Sequence, residues 1–338
     1  MKKHLALASA LLASGAAFAQ SSVTLYGLAD VYVASRKDAD TGDRTTAMSS
    51  GGVYQTRFGL KGSEDLGGGL KANFQYEHGF ALENGGAGST GFSRQSWVGL
   101  SGAFGEVRAG RAWSAFDDIS GSTLAAKNSL LAPNQGTWLT TSYKDNPDNG
   151  LYYATPEFGG VSGAVSYGRE NASAGASRGS VASLNVKYGS GPVFAALGYQ
   201  TEKANGDATA LKYTRLSGSY DLGMAKLLAS YGRVAFADAS TTEWQLGADV
   251  PLGGGWLLSG GLARSKGEIT GFSGDANYTG KLVNVGPEVE RTGYSIAAFY
   301  SLSKRTSVYG GYRANKIKTP GAADKDGDVF ALGLLHMF

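Results

Sequence analysis

Apolar and polar residues alternate with a period of two along much of this chain, and few folds accommodate that pattern. In segment 70–76, Leu70, Ala72, Phe74 and Tyr76 alternate with Lys71, Asn73, Gln75 and then Glu77. Tyr54, Thr56, Phe58 and Leu60 likewise oppose Gln55, Arg57, Gly59 and Lys61. Near the end, Tyr294, Ile296, Ala298, Tyr300 and Leu302 oppose Ser295, Ala297, Phe299 and Ser301. Successive side chains of a strand point to opposite faces, so these runs predict strands with one apolar and one mostly small or polar face. No stretch after the first twenty residues approaches the ~20 apolar residues of a membrane helix. A soluble sandwich would bury the apolar face against a second sheet, and an outer-membrane barrel would turn it to lipid. Periodicity alone leaves both open.

The connections separate them. Tight turns are expected at 64–69, 103–106, 156–160, 189–192, 221–223, 251–255 and 302–305. Longer polar stretches rich in Gly, Asp, Asn and Ser fall at 35–51, 82–91, 114–147, 172–180, 204–211, 237–241, 266–289 and 318–327. Seven short and eight long connections alternate, which predicts sixteen strands. An up-and-down membrane barrel needs this asymmetry, with short periplasmic turns and long outer loops; a sandwich does not. Lipid offers no hydrogen-bond partners, so the sheet must close. The expected fold is all-β, one sixteen-stranded antiparallel transmembrane barrel over residues 20–338. Closure would pair Val23–Val33 with the last strand, where Phe330, Leu332, Leu334, His336 and Phe338 share a face. Left unpaired, that strand would be an aggregation hazard.

Residues 1–19 read as a signal peptide. Lys2 and Lys3 precede a short apolar run, and Ala17-Phe18-Ala19 fits a small-x-small cleavage site. Removing two lysines leaves 31 − 2 = 29 basic residues against 28 acidic ones, a net +1. A near-neutral mature chain disfavours nucleic acid as a partner. The absence of cysteine excludes disulfides, thiolate metal sites and a Cys nucleophile.

At this level of detail the chain resembles the general porins of Gram-negative bacteria, of the β-proteobacterial trimeric type. The resemblance spans the whole mature chain. It rests on Ser22-Val23-Thr24-Leu25-Tyr26-Gly27, the run from Arg57 to Gly67, Gly69-Leu70-Lys71-Ala72, Val98-Gly99-Leu100, Phe104-Gly105 and Gly110-Arg111. Tyr153 to Phe158, the run from Tyr300 to Thr306, and His336-Met337-Phe338 complete it. The resemblance implies a homotrimer in outer-membrane lipid and lipopolysaccharide, with the third loop folded into each barrel as a constriction. It also implies that the terminal Phe338 is a recognition signal for the barrel-assembly machinery.

The family sets wall arginines against acids on or near the inserted loop. Arg57 and Arg94 match two of them. Arg57 lies on the polar side of its strand, where a charge avoids a midplane penalty of about 2–4 kcal/mol. Arg94 shares the parity of Val98 and Leu100, and Arg108 and Arg111 are equally ambiguous. Tyr152 stands where a third arginine often precedes Tyr153, and Leu335 replaces another frequent arginine; Lys144 lies nearby in the loop region. On the acidic side, Glu77 occupies a polar face, and Asp117 and Asp118 open the longest loop, 114–147. Facing rows of opposite charge across water orient small solutes without tight binding. The pore constriction is therefore expected at Arg57, Arg94, Glu77, Asp117, Asp118 and Tyr152.

Catalytic and cofactor chemistry finds little support. After processing, His78 and His336 remain, flanked on their own faces by Tyr76 and Phe80 and by Leu334 and Phe338, without a serine. Asp324, Asp326 and Asp328 resemble the start of a calcium loop, but Val329 replaces its glycine and Leu335 its last ligand. Those acids, or Asp38, Asp40 and Asp43, read better as solvated rim than as a metal site. Gly85 to Gly91 lacks the Gly-Lys-Ser/Thr of a phosphate loop. No enzyme and no cofactor are expected. The function expected is passive diffusion of small hydrophilic solutes and ions, with a weak anion preference. The alternatives are a substrate-specific channel or, from a different class, a surface adhesin or structural barrel.

Overall fold

The computed structural model describes residues 22–88, 90–169, 179–203, 209–273 and 282–338. The expected signal peptide, residues 1–19, lies outside them. The chain begins as β1 (Ser22–Lys37), β2 (Arg44–Ser50), β3 (Arg57–Gly67), β4 (Leu70–Gly79), β5 (Gln95–Gly102), β6 (Gly105–Arg111), β7 (Gly150–Ala154) and β8 (Val161–Arg169). It continues as β9 (Ser180–Ser190), β10 (Val193–Lys203), β11 (Leu211–Asp221), β12 (Lys226–Phe236) and β13 (Ala239–Gly253). The last strands are β14 (Trp256–Ser273), β15 (Leu282–Ser301), β16 (Thr306–Lys318) and β17 (Lys325–Met337).

From β3 onward, each strand pairs antiparallel with the next. The circuit closes where β17 returns to β1, with Leu28 opposite Met337 and Lys37 opposite Asp328. At the seam Gly27 and Phe338 exchange both backbone hydrogen bonds at 3.0 Å. Closure leaves no sheet edge to be satisfied by lipid.

The seventeen segments of the sheet make sixteen staves, because β2 and β3 are halves of one strand. Both pair with β1: residues 44–50 against 31–37, and residues 57–63 against 22–28. The strand expected through Tyr54 therefore starts only at Arg57. The cause is Asp30, fully buried on the inner face of β1. Its carboxylate accepts hydrogen bonds from the Val53 N–H (2.7 Å), the Tyr54 N–H (2.8 Å) and the Tyr309 hydroxyl (2.6 Å). The Thr56 hydroxyl donates to the Asp30 carbonyl and accepts from its N–H, each at 3.0 Å. These bonds replace ladder bonds, so residues 51–56 leave the wall.

The short turns fall as expected, down to two residues at 103–104, 191–192 and 254–255. Not all of the long connections do. Much of the stretches 35–51 and 266–289 is strand, because β2 occupies 44–50 and β14 and β15 extend to Ser273 and from Leu282. Polar side chains there pair across the ladder, as in Lys266–Glu288 (2.8 Å), with Arg264–Glu290 (3.0 Å) immediately beside it. A wall that stands clear of the apolar belt carries hydrophilic residues on both faces, so composition mistakes it for loop. The connection expected at 237–241 shrinks to residues 237–238, with Ala237 in the left-handed region at φ 50°.

Burial settles the choice between sandwich and barrel. Val98, Leu100, Leu216, Leu246 and Leu262 are exposed, the last at 57%, whereas Arg215, Gln200, Glu202, Glu243 and Gln245 are 0% exposed. Apolar surface left in water would forgo about 25 cal/mol per Å². An apolar exterior over a polar interior is the arrangement of a barrel in lipid. Aromatic rings flank the belt: Trp256 packs on Tyr300 at 4.6 Å near the short turns, and Tyr231 faces Trp244 on the far side.

Candidate functional site

The interior is organised by segment 112–149, between β6 and β7, which hydrogen-bonds to inward-facing side chains around the wall. Asn185 of β9 donates to Ala115 O (2.5 Å), and Gln200 of β10 donates to Lys144 O (2.9 Å). Ser230 of β12 meets the Thr123 hydroxyl at 2.6 Å, and Ser265 of β14 donates to Thr137 O at 2.7 Å. Ser259 accepts from the Ala126 N–H (2.7 Å), and Leu130 N–H reaches Gly52 O (2.7 Å). Gly198 and Gly293 leave room for this packing. A Cβ on Gly293 would stand 2.3 Å from Pro133 O, and one on Gly198 would stand 2.7 Å from Ile119.

The strongest anchor is a buried relay. Arg215 donates to Ser120 O (2.6 Å), Thr140 O (3.3 Å) and the Thr140 hydroxyl (2.7 Å), and stacks on Trp138 at 4.8 Å. The Thr140 hydroxyl donates onward to Glu243 (2.5 Å), which also accepts the Thr140 N–H at 3.1 Å. Buried charges persist only when hydrogen bonds replace their lost hydration. Here the lumenal segment supplies those bonds.

The expected site residues fall into two groups. In the first, Glu77 of β4 is 3% exposed and sits 3.3 Å from Arg57 Nε and 3.4 Å from Arg94 Nε. Both contacts are within ion-pair range but lack hydrogen-bond alignment, whereas the Tyr26 hydroxyl donates to Glu77 at 2.9 Å. Arg94 also bonds Gln55 and lies over Trp113 at 5.2 Å. It stands one residue before β5, which removes the parity conflict with Val98 and Leu100. Burial, then repulsion from Arg57, lowers the Arg94 pKa from its ordinary value. Two arginines against one carboxylate leave this cluster at +2 − 1 = +1.

In the second group, Arg108 turns inward, paired with Glu106 (2.6 Å) and lying over Trp97 (4.8 Å) and Tyr152 (4.7 Å). The Tyr152 hydroxyl donates to Asp118 (2.7 Å), which also accepts from Asn185 (2.9 Å). Asp117 accepts from Tyr143, whose hydroxyl also meets Ser120 at 2.7 Å. Burial above all pushes the Asp117 carboxyl up to about 7, and burial raises Asp145 as well. Both aspartates of the 117–118 pair are thus engaged within the segment or between it and the wall. Arg111 is held by Asp148, Asn146 (3.1 Å) and Ser93 O. Gly110, at φ 125°, interrupts the strand alternation just before it. Leu335 fills its lumenal position as a buried apolar side chain.

The remaining polar residues are engaged elsewhere. A ring nitrogen of His78 donates to Gly91 O (2.5 Å), and His336 shares a hydrogen bond with the Thr306 hydroxyl (2.9 Å). At the rim Asp324, Asp326, Asp328 and Asp40 pair with Lys316, Lys37, Arg44 and Lys325. Sequence reasoning missed Asp30, Arg215 and Glu243. Their signal was present, since each is a charge on the inward parity of a strand.

The comparisons agree with this geometry. A family model described as Gram-negative porin matches residues 6–320. Outer membrane porin protein 32 of Delftia acidovorans is 34% identical over 92% of this chain and 88% of its own. An outer membrane porin protein of Bordetella pertussis is 31% identical over 100% of both. Among solved structures, the anion-selective porin from Comamonas acidovorans superposes with a TM-score of 0.77 at 27% identity, covering 94% of this chain and 100% of that one. With its closed barrel, apolar exterior and charged, loop-lined interior, the chain belongs to the Gram-negative porin family, an outer-membrane channel for passive diffusion of small hydrophilic solutes.

Proposed function

We propose that this channel weakly prefers anions and that Arg57, Arg94 and Glu77 line its constriction. The observation that carries this reading is the +1 balance of that cluster. At ~7 Å a unit charge acts on a passing ion with about 0.6 kcal/mol in water. Screening at ~0.1 M salt halves this. The preference is weak because Arg108 and Arg111 each face a carboxylate, and Tyr152 and Leu335 bring no charge. The resemblance to the Comamonas porin supports the sign. In this reading Asp117, Asp118 and Tyr152 set the position of the lumenal segment.

The same reading takes the protein as a homotrimer, set in lipid and lipopolysaccharide, exported by cleavage of residues 1–19 and assembled through a signal ending at Phe338. It assigns the protein no catalytic step. The reversal potential of single channels across a potassium chloride gradient tests the selectivity. An anion-directed potential is expected, and a clear cation preference overturns the proposal.

A further inference from the structure

We infer that the tip of the lumenal segment carries a second anion site, formed by Lys127 and Lys226 across a void of about 440 Å³. The site takes a small monoanion such as chloride or a short carboxylate, and the inference rests on the anion-preferring channel proposed above.

The backbone makes the first argument. Ala126, Lys127 and Asn128 are consecutive non-glycine residues in the left-handed region, at φ 52°, 55° and 53°. Side chains other than glycine rarely adopt this conformation, and runs of it are rarer still. Hydrogen bonds hold it: the Ala126 N–H donates to Ser259 (2.7 Å), and the Ser129 N–H donates to Ala126 O (3.0 Å). The result is that Ala126 is fully buried while Lys127, the next residue, is exposed to the void. The Lys127 ammonium lies 4.5 Å from the centre of the Phe299 ring.

Charge makes the second argument. Lys226 opens β12 on the inward face, across the ladder from Asp249 of β13. Asp249 accepts a hydrogen bond from Ser259, the same hydroxyl that receives the Ala126 N–H. Among the described residues, no carboxylate lies within ion-pair distance of either lysine. Arg57, Arg94, Arg108 and Arg111 differ in that each has a carboxylate partner, while the wall arginines Arg215, Arg291 and Arg313 are held by hydrogen bonds to carbonyl oxygens that neither lysine makes among the described residues. The void therefore carries +2 from the lysines and −1 from Asp249, a net +1 that matches one monoanion. Tyr54 and Asn128 add polar groups to its lining.

The test is single-channel recording on the full chain with Lys127→Gln and Lys226→Gln, alongside the charge-retaining Lys127→Arg. Heat-modified gel mobility checks that each barrel is folded. Each glutamine variant is expected to lower the anion-to-cation permeability ratio about three-fold in ~0.1 M salt, and Lys127→Arg to keep it. Reversal potentials that stay at the unsubstituted value in both conducting glutamine variants overturn the inference. A cation-preferring unsubstituted channel would refute the proposal above instead, and the shift between that channel and its glutamine variants still decides the role of the lysines.

Discussion

Glu77→Gln is the substitution whose outcome follows most directly from the geometry. The carboxylate sits between Arg57 and Arg94 at 3.3 and 3.4 Å and accepts the Tyr26 hydroxyl at 2.9 Å. A glutamine keeps the size and the acceptor for Tyr26 but removes the charge, taking the cluster from +1 to +2. Arg94 stays in place, because Gln55 and the Trp113 ring hold it independently. The added charge acts on an ion at ~7 Å with about 0.6 kcal/mol in water, or about 0.3 kcal/mol after screening in ~0.1 M salt. Anions gain this energy and cations lose it, so the permeability ratio should shift about three-fold toward anions. The assay is the reversal potential in a planar bilayer under a potassium chloride gradient. Adding Arg57→Gln returns the cluster to +1 and should restore the original ratio. Removing one partner of a buried ion pair can cost about 3 kcal/mol, so the folded band should melt at a lower temperature. A folded Glu77→Gln channel with an unchanged ratio, or one shifted toward cations, would refute the placement of this cluster at the constriction.

Asp30→Ala strips three donors of their acceptor, and hydrogen bonds to a charged group are worth about 1.5–3 kcal/mol each. The variant should lose several degrees of thermal stability on heated gels and show noisier current, because residues 51–56 lose their hold; an unaltered melting profile would contradict the role given to Asp30. Asp117, pushed up to about 7, binds more protons when the lumenal segment is docked than at its ordinary value of 3.8. Docking therefore weakens as pH rises from 3.8 through about 7 and is strongest below that window. The rim acids Asp38 and Asp324, with lowered pKa values, pull the other way, so the comparison with Asp117→Asn isolates the effect. The unsubstituted protein should gain more melting temperature between pH 8 and pH 5 than Asp117→Asn; equal gains would count against the burial. Gly293→Ala places a Cβ 2.3 Å from Pro133 O and 2.6 Å from the Thr137 hydroxyl. It should push segment 133–137 off the wall and change the single-channel conductance, whereas Ser295→Ala, two residues along, should leave it near the original value.

Much of the barrel was legible because its governing signal is local. The alternation of Leu70, Ala72, Phe74 and Tyr76 needs only the pleat of a strand to be read, and short turns such as Ala103-Phe104 mark where strands reverse. The same rule placed Arg57 and Glu77 inward. It failed where strands leave lipid, since Lys266 and Glu288 lie on β14 and β15 yet read as loop by composition. It also failed at residues 51–56, where one carboxylate on another strand outcompetes the ladder for two N–H groups.

Alternation and connection lengths alone imply a closed barrel with one apolar and one polar face, and they turn Arg57 and Glu77 inward, but they leave the faces of Arg94, Arg108 and Arg111 open. Which of those charges neutralise one another follows from contacts between residues far apart in the chain. Thr123 meets Ser230 and Ala126 meets Ser259 across more than a hundred residues, and such contacts set the path of the lumenal segment. That path engages Asp117 and Asp118 in anchoring the segment and leaves Lys127 facing water. A period of two carries no information about partners so distant, because each is chosen by shape and hydrogen bonding inside the finished barrel.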